Sequence, residues 1–146
     1  MTFAAVNYLA VFVAAIAGWL TGAVYYMALG QQWMLAQGKD PETCKAEMAA
    51  KKGTPAFWFP FVLAFIGSLV MAWALSGVLF HLGGAVTMRR AVIAAVLLWL
   101  GFIATTLTVN YAFSGRKPLL TVIDAGHWLA VLIVMGIIFG LMGVSR

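Results

Sequence analysis

The chain has 146 residues, of which 64% are hydrophobic and only 9% are charged, and its mean hydropathy is +1.02. A soluble domain averages ~45–50% apolar and ~25% charged residues, so this composition excludes a soluble globular protein and indicates a single integral membrane domain over residues 1–146. The formal net charge of +5 comes from Lys and Arg outside the apolar runs, which indicates contact with anionic lipid head groups rather than with nucleic acid.

Four apolar runs are each long enough to cross a bilayer as a helix, for which ~20 residues suffice. They cover residues 3–29, 56–82, 91–113 and 119–144. None of them alternates polar and apolar residues with a period of two, which excludes the strands of a membrane barrel. The first run has no basic segment before it and is therefore a retained span rather than a cleaved signal peptide. The predicted fold is an all-α membrane protein, a bundle of four transmembrane helices.

Loop one, residues 30–55, is the only long polar segment of the sequence, and a short helix at the membrane surface is predicted within it, over residues 41–52. Asp40 is a suitable N-cap for this helix, and Pro41 fits its first turn. Loops one and three, the latter at 114–118, together carry six Lys and Arg residues, against three in the rest of the chain. The positive-inside rule therefore predicts that loops one and three are cytoplasmic.

The fourth span contains an aspartate and a histidine three residues apart, Asp124 and His127. A carboxylate within a membrane helix costs ~2.5–3.5 kcal/mol on insertion scales, so an intramembrane Asp indicates a functional site. The spacing places both side chains on one helix face, pointing inward, and predicts a hydrogen bond from the imidazole to the carboxylate. The alternative is a purely structural contact between helices, worth ~0.6 kcal/mol on average.

Other polar and aromatic residues are predicted at the same depth of the membrane. At 1.5 Å per residue, Asp124 lies ~7 Å and His127 ~12 Å inside the fourth span. Thr106 and Asn110 are four residues apart in the third span, and the stripe that they form is predicted to face this pair. Asn110 can instead be a structural hydrogen-bonding residue, and the aromatic side chains can be an interfacial belt. The candidates for binding a ligand or a proton are Asp124, His127, Asn110, Thr106, Tyr25, Tyr26 and Trp33.

Two pairs of glycines have the spacing that lets membrane helices approach closely. Gly18 and Gly22 lie in the first span, and Gly136 and Gly140 lie in the fourth. Such small-residue pairs join helices either within one bundle or between subunits, and the sequence leaves both arrangements open.

Neither a catalytic residue set nor a metal or cofactor site is predicted. A single cysteine gives no internal disulfide and no thiolate cluster. The two histidines, His81 and His127, are predicted near opposite faces of the membrane, too far apart in depth to bind one haem. The sequence has no phosphate-binding glycine loop and no nucleophile elbow. One Asp and one His suffice in principle for acid–base catalysis, but no nucleophile accompanies them.

Two long segments carry a resemblance to a known family. They are NYLAVFVAAIAGWLTGAVYYMALGQQW and LLWLGFIATTLTVNYAFSGRKPLLTVIDAGHWLAVLIVMGIIFGL, and their most specific parts are the tyrosine pair before Gly30, the Asn110-Tyr111 step and the segment from Asp124 to His127. Together they resemble the bacterial family known as "domain of unknown function 1761" over essentially the whole chain. The resemblance implies a four-span protein of the bacterial cytoplasmic (inner) membrane and implies no particular activity.

Three functions of different classes follow from these residues. The first is a small-solute or proton-linked binding or transport protein, with Asp124 as the titrating group and His127 as its partner. The second is an accessory or scaffold subunit that packs against a larger membrane complex, with a polar seam that is only structural. A homo-oligomer is a further partner arrangement that the small-residue pairs leave open. A membrane enzyme is the third. The lipid bilayer is the partner that all three share.

Overall fold

The computed structural model describes residues 6–145 and confirms the all-α fold class, with a short helix in the first loop. In chain order the helices are α1 (Tyr8–Ala36), α2 (Pro41–Lys51), α3 (Pro55–His81), α4 (Met88–Leu98), a π-helical segment (Trp99–Ala104), α5 (Thr105–Phe113) and α6 (Pro118–Met142). The segments α4, π and α5 form one continuous third span, Met88–Phe113. Four helices, α1, α3, the third span and α6, are therefore long and apolar enough to cross a membrane.

The bounds of the first span differ most from the sequence prediction of 3–29. The side chain of Asn7 caps α1 by accepting a hydrogen bond from the Ala10 amide, and residues 3–5 lie outside the described part of the chain. At its other end α1 continues through the polar pair Gln31-Gln32 to Ala36. Polar residues beyond the membrane edge do not end a helix, and this extension places Trp33 on α1 instead of in a loop.

The other spans lie close to their predicted positions of 56–82, 91–113 and 119–144. The third span begins three residues earlier, because Thr87 caps its first turn through the Arg90 amide. The fourth ends at Met142, where Gly143 adopts a φ of 73°. In the loop helix α2, Asp40 is the N-cap, as predicted, and accepts from the Thr43 amide at 2.9 Å.

The helix α6 is at the centre of the arrangement. It packs along α1 on one side and along α4 on the other, while α3 packs mainly on α1. A Cβ atom on Gly18 would lie 2.6 Å from the Met135 methyl, and one on Gly140 would lie 2.8 Å from the backbone nitrogen of Met88. Both predicted glycine pairs are therefore used within this chain, Gly18 and Gly22 in the α1–α6 contact and the pair on α6 in the α4–α6 contact.

The apolar core is unevenly distributed along the membrane normal. A large cluster occupies the end far from loop one, where α1 begins and α6 ends, and it includes Leu75, Met135 and Phe139. A much smaller cluster lies at the loop-one end, built on Ala36, Leu120 and Ile123 with four aromatic side chains packed against it. The helices are thus closely packed at one end and held by fewer apolar contacts at the other.

Burial falls steadily along the third span. Its first part, α4, buries Ala91, Ala94 and Ala95, whereas the π-helical segment and α5 bury no residue. A π segment has one extra residue per turn and is rare, and such segments are frequently found at functional sites. The third span is therefore anchored at its α4 end and loosely attached at its α5 end.

The first and last membrane helices are joined at the end opposite loop one. The Asn7 side-chain nitrogen donates to the carbonyl of Met142 at 3.0 Å, and the Asn7 backbone amide donates to the carbonyl of Val144. Val6 and Ser145 form an isolated antiparallel bridge beside these bonds. One polar side chain thus satisfies backbone groups at both helix ends, which would otherwise be unpaired.

Candidate functional site

Asp124 and His127 lie within α6, near the loop-one end of the bundle. Both are buried, with 7% of Asp124 and 8% of His127 exposed. The prediction that the two side chains point into the packed helices is therefore confirmed. Burial of a carboxyl group requires hydrogen-bond partners, since an unpaired charge in an apolar environment is strongly disfavoured.

Three side chains donate hydrogen bonds to the carboxylate of Asp124. On one oxygen, Oδ1, it accepts from the Tyr26 hydroxyl at 2.7 Å and from the Trp33 indole nitrogen at 2.9 Å. On the other, Oδ2, it accepts from the Tyr111 hydroxyl at 2.8 Å. Two donors come from α1 and one from α5, so a single carboxylate of α6 connects three helices. Hydrogen bonds to an ionised group are roughly twice as strong as those between neutral groups.

The two donors from α1 reach the same oxygen because they are seven residues apart on one helix. Seven residues are close to two full turns, so Tyr26 and Trp33 project from one face. Their rings pack edge to face with centroids 5.4 Å apart. Both were among the sequence candidates, and the prediction that they lie at the depth of Asp124 agrees with this geometry.

The predicted hydrogen bond between His127 and Asp124 is wrong for the part of the chain that is described. The carboxylate turns toward α1 and α5, whereas the imidazole packs against Tyr25 and Tyr26 of α1 and against Trp128 of its own helix. A Cβ atom on Gly22 would lie 2.7 Å from His127 Nε2, so the missing side chain of this glycine makes room for the ring. Residues three apart on a helix share a face, but each short side chain still follows its nearest partner.

The imidazole of His127 is surrounded by aromatic rings. Its centroid lies 4.7 Å from Tyr26, 5.6 Å from Tyr25 and 4.6 Å from Trp128. Its Nδ1 atom is buried and has no hydrogen-bond partner among residues 6–145. A buried polar atom without a partner is uncommon in folded proteins and marks a position where a further group can bind.

Two more aromatic side chains fix the backbone of α6 on either side of Asp124. The Tyr25 hydroxyl donates to the carbonyl of Ile123 at 3.0 Å, and the Trp99 indole nitrogen donates to the carbonyl of Ala125 at 2.7 Å. These bonds come from α1 and from the start of the π-helical segment. The backbone on both sides of the carboxyl group is thereby positioned by the neighbouring helices.

The predicted polar stripe of the third span does not face the site. Thr106 and Asn110 are both exposed on the outer surface of α5. Tyr111, which the sequence reasoning did not select, occupies the position facing Asp124. Adjacent residues on an α-helix point about 100° apart, so Asn110 points outward when Tyr111 points inward. A hydroxyl on a long aromatic side chain at this depth was the only sequence signal that could have identified it.

His81 lies far from the candidate site, at the C-terminal end of α3. Its Nδ1 is 2.8 Å from the carbonyl of Gly77, within the same helix. An open groove of about 510 Å³ passes beside it, with a mainly apolar lining that includes Trp73 and Leu82. This groove is on the opposite side of the bundle's large core from Asp124, and it has no part in the site described above.

The site combines one acidic group with neutral donors only. Within the described residues Asp124 forms no ion pair, and no group of three or more His, Cys, Asp or Glu side chains is placed to bind a metal ion. The arrangement can therefore stabilise a negative charge, and it can accept a proton on that charge. His127 adds a second titratable group beside it.

Comparison with curated proteins and with solved structures finds no match. A family model described as "Protein of unknown function (DUF1761)" matches residues 9–140, which includes the side chains around Asp124. Since this match extends over most of the sequence, the chain belongs to that family.

Proposed function

We propose that this protein binds or transports a small solute in exchange with a proton, and that Asp124 is the group that takes up and releases the proton. The observation that carries the proposal is the setting of this carboxyl group. It is 7% exposed within a membrane-spanning helix, and its three hydrogen-bond donors are all neutral. An intramembrane carboxyl group without a cationic partner is typical of proton and ion pathways.

Both protonation states of Asp124 have structural support. The ionised form is supported by donors from Tyr26, Trp33 and Tyr111. The protonated form is supported by burial, because an apolar environment disfavours an uncompensated charge. A solute that binds beside the carboxyl group changes the balance between these two states, and this change links its binding to a proton.

His127 supplies the second part of the proposed site. Its Nδ1 is buried one helical turn from Asp124 without a partner among residues 6–145, and in this proposal it pairs with a polar group of the solute. The aromatic rings around the imidazole exclude water from the remainder of its surface. Tyr25, Tyr26 and Trp33 then line the site, and Thr106 and Asn110 have no role in it because they are exposed on the outer surface.

The proposed location is the cytoplasmic membrane of a bacterium, with loops one and three on the cytoplasmic side. The distribution of Lys and Arg supports this orientation, since loops one and three carry most of these residues. In this orientation Asp124 is nearer to the cytoplasmic face, since α6 begins at Pro118. The proton would thus exchange with the cytoplasm over a shorter distance than with the other side.

The test is proton movement in reconstituted vesicles that contain a pH-sensitive dye. A panel of amines, amino acids, sugars and carboxylic acids is added outside, and the internal pH is followed for the wild type, Asp124→Asn and Asp40→Asn. Asp40→Asn is the matched control because it removes a fully exposed carboxylate outside the membrane. We expect at least one solute to change the internal pH with the wild type and the control but not with Asp124→Asn. An Asp124→Asn protein with undiminished flux contradicts the proposal.

A second function, that of an accessory subunit in a larger assembly, is favoured by the third span. Only 11% of the residues in its most apolar window are buried, against 39% for the fourth span. A partner helix could cover this surface as well as lipid does. Purification in mild detergent distinguishes the two, since a chain that always runs alone or as a homo-oligomer contradicts an assembly with other proteins.

A further inference from the structure

We infer that α5 is a gate that the charge of Asp124 opens and closes through Tyr111, with the π-helical segment as its hinge. This inference rests on the proposed function, because it names the route by which the buried carboxyl group becomes accessible. The gate is the nine-residue helix Thr105–Phe113. Its closed position is the one in which the Tyr111 hydroxyl donates to Asp124 Oδ2 at 2.8 Å.

The helix α5 is attached to the rest of the bundle mainly through one side chain, Tyr111. It buries no residue, and Tyr111 is its only side chain that forms a hydrogen bond with another helix within residues 6–145. The hydroxyls of Thr105 and Thr108 donate to carbonyls of their own span, at Gly101 and Ala104. Tyr111 also supplies the contact of α5 with the small cluster at the loop-one end. Loss of this contact therefore removes the only side-chain hydrogen bond that joins α5 to another helix within residues 6–145.

The π-helical segment lies between the anchored helix α4 and the loosely attached helix α5, the position of a hinge. The segment before it, α4, is closely packed against α6, where a Cβ atom at Gly140 would collide with the backbone of α4 and one at Gly136 would lie in tight contact with it. Trp99, the first residue of the π-helical segment, is fixed to the Ala125 carbonyl at 2.7 Å. Beyond this residue no side chain of the third span is buried. Sharp bends in helices commonly occur at π segments, which makes this segment the place where the span can bend as α5 moves.

The space that the gate covers lies between α1 and α5, beside Asp124. The backbones of α1 and α5 do not pack against each other anywhere in the described chain, and both contact α6. Their side chains meet at Asp124, where Tyr26 and Trp33 approach from α1 and Tyr111 approaches from α5. Movement of α5 away from α6 therefore opens a cleft between α1 and α5 that leads directly to the carboxyl group.

The charge of Asp124 controls this movement through the strength of one hydrogen bond. An ionised carboxylate accepts a charge-assisted bond from the Tyr111 hydroxyl, about twice as strong as the neutral bond that remains after protonation. The two bonds from α1 share Oδ1, so protonation at Oδ2 affects Tyr111 most directly. Protonation thus favours release of α5, and ionisation favours its closed position.

Other titratable groups face Asp124 and must be separated from it in any test. They are Tyr25 and Tyr26 on α1, Tyr111 on α5 and His127 on α6, while Arg116 in the following turn lies near Tyr111. His127 is the one that changes charge in the same acidic range as a carboxyl group. A His127→Gln variant removes this contribution and keeps a side chain of polar character.

The experiment measures the distance between spin labels on α1 and α5 by pulsed electron paramagnetic resonance. Cys44 is first replaced by Ser, and labels are attached through Met27→Cys and Phe113→Cys, which are 77% and 92% exposed in the native chain. A control pair, Leu9→Cys and Ile93→Cys, reports the α1–α4 distance at the closely packed end. Both pairs are measured at alkaline and acidic pH in lipid nanodiscs without any added solute.

We expect the α1–α5 distance to be short and narrowly distributed at alkaline pH and longer or broader at acidic pH. Asp124→Asn and Tyr111→Phe should show the longer distribution at both pH values, and His127→Gln should keep the pH response. The α1–α4 pair should not change. The inference is overturned if the α1–α5 distances are the same in the wild type, Asp124→Asn and Tyr111→Phe, or if His127→Gln alone removes the pH response.

This experiment and the vesicle assay fail independently. An α5 helix that moves with the charge of Asp124, in a protein that moves no proton with any solute, supports the gate and removes the proposed function. Proton-linked flux in a protein whose α5 stays fixed supports the proposed function and removes the gate. Tyr111→Phe keeps the aromatic ring in the small cluster, so it removes the hydrogen bond without a large change in packing.

Discussion

The two ends of α6 are held by different kinds of interaction. At the end far from loop one, small residues bring α4 so close to α6 that a Cβ atom on Gly140 would meet the backbone of Met88, and Gly18 of α1 packs against the Met135 side chain. At the loop-one end, hydrogen bonds from Tyr26, Trp33 and Tyr111 to one carboxylate replace this close packing. Close packing has the same strength at every pH, whereas hydrogen bonds to a carboxylate depend on its charge. The comparison teaches that stability and responsiveness are placed at opposite ends of one helix.

The largest expected effect on stability comes from a substitution at the closely packed end of α6. Gly140→Ala adds a Cβ atom 2.8 Å from the backbone nitrogen of Met88, and backbone atoms cannot move aside as a flexible side chain can. We expect a loss of about 3 kcal/mol in the free energy of unfolding, the upper end of what an overpacked contact costs, because the clash is with backbone atoms. Gly67→Ala is the matched control, because a Cβ atom there meets nothing within 4 Å. Unfolding in mixed detergent micelles measures both, and equal stability of the two variants contradicts this account.

The next largest effect on stability comes from removing the carboxylate at the loop-one end of α6. Asp124→Ala leaves the hydroxyls of Tyr26 and Tyr111 and the indole nitrogen of Trp33 without their acceptor. Each unsatisfied buried donor costs about 1–3 kcal/mol, but part of this is recovered by local rearrangement, so we expect a total loss of about 2 kcal/mol. Hydrogen exchange should increase mainly at the loop-one halves of α1 and α6. An equal increase in hydrogen exchange at both ends of α1 and α6 would show that the two ends do not open independently.

A finer comparison uses two adjacent tyrosines. Tyr26 donates to a carboxylate, whereas Tyr25 donates to the neutral carbonyl of Ile123, at 2.7 Å and 3.0 Å. Tyr26→Phe should therefore destabilise the protein about twice as much as Tyr25→Phe, because charge-assisted hydrogen bonds are roughly twice as strong. A double-mutant cycle of Tyr26→Phe with Asp124→Asn measures the coupling. A coupling energy of zero would remove the distinction between the two tyrosines.

The smallest effect lies outside the membrane, at the start of α2. Hydrogen bonds from the Thr43 hydroxyl and amide to the Asp40 carboxylate hold the pKa of this carboxyl group below its usual value. A lowered pKa in the folded state means that the stabilisation is present above the usual pKa and is lost as the pH falls through the folded value. Helical content of α2, followed by NMR chemical shifts, should fall slightly at acidic pH. Asp40→Asn should remove this pH dependence and leave the α1–α5 distance unchanged.

Most of the fold could be predicted from the sequence because the membrane imposes it. Long apolar runs can satisfy their backbone in lipid only as helices, so four spans and the Asp40-capped loop helix were predictable from composition and capping residues. The bounds of α1 were not, since the polar pair Gln31-Gln32 suggests a loop although nothing there breaks a helix. Apolar character identifies a span but does not determine where the helix ends outside the lipid.

The candidate site was predictable in residue type but only partly in geometry. An acidic side chain in a membrane helix is unusual enough to be identified alone, which is why Asp124 was selected together with the aromatic residues at its depth. The inward face of α5 was not predicted correctly, because its polar residues Thr106 and Asn110 are exposed on the outer surface instead of facing the site. Asn110 was therefore chosen for its polarity where the structure uses Tyr111.

The bonds of Asn7 with the end of α6 have a mechanical consequence. Together with the bond from the Tyr25 hydroxyl to the Ile123 carbonyl, which does not involve the charge of Asp124, they fasten α1 to α6 near both extremities. Two helices joined at two distant points cannot pivot about each other, so this antiparallel pair is a rigid unit. Any conformational change during function must then occur in the helices outside this pair.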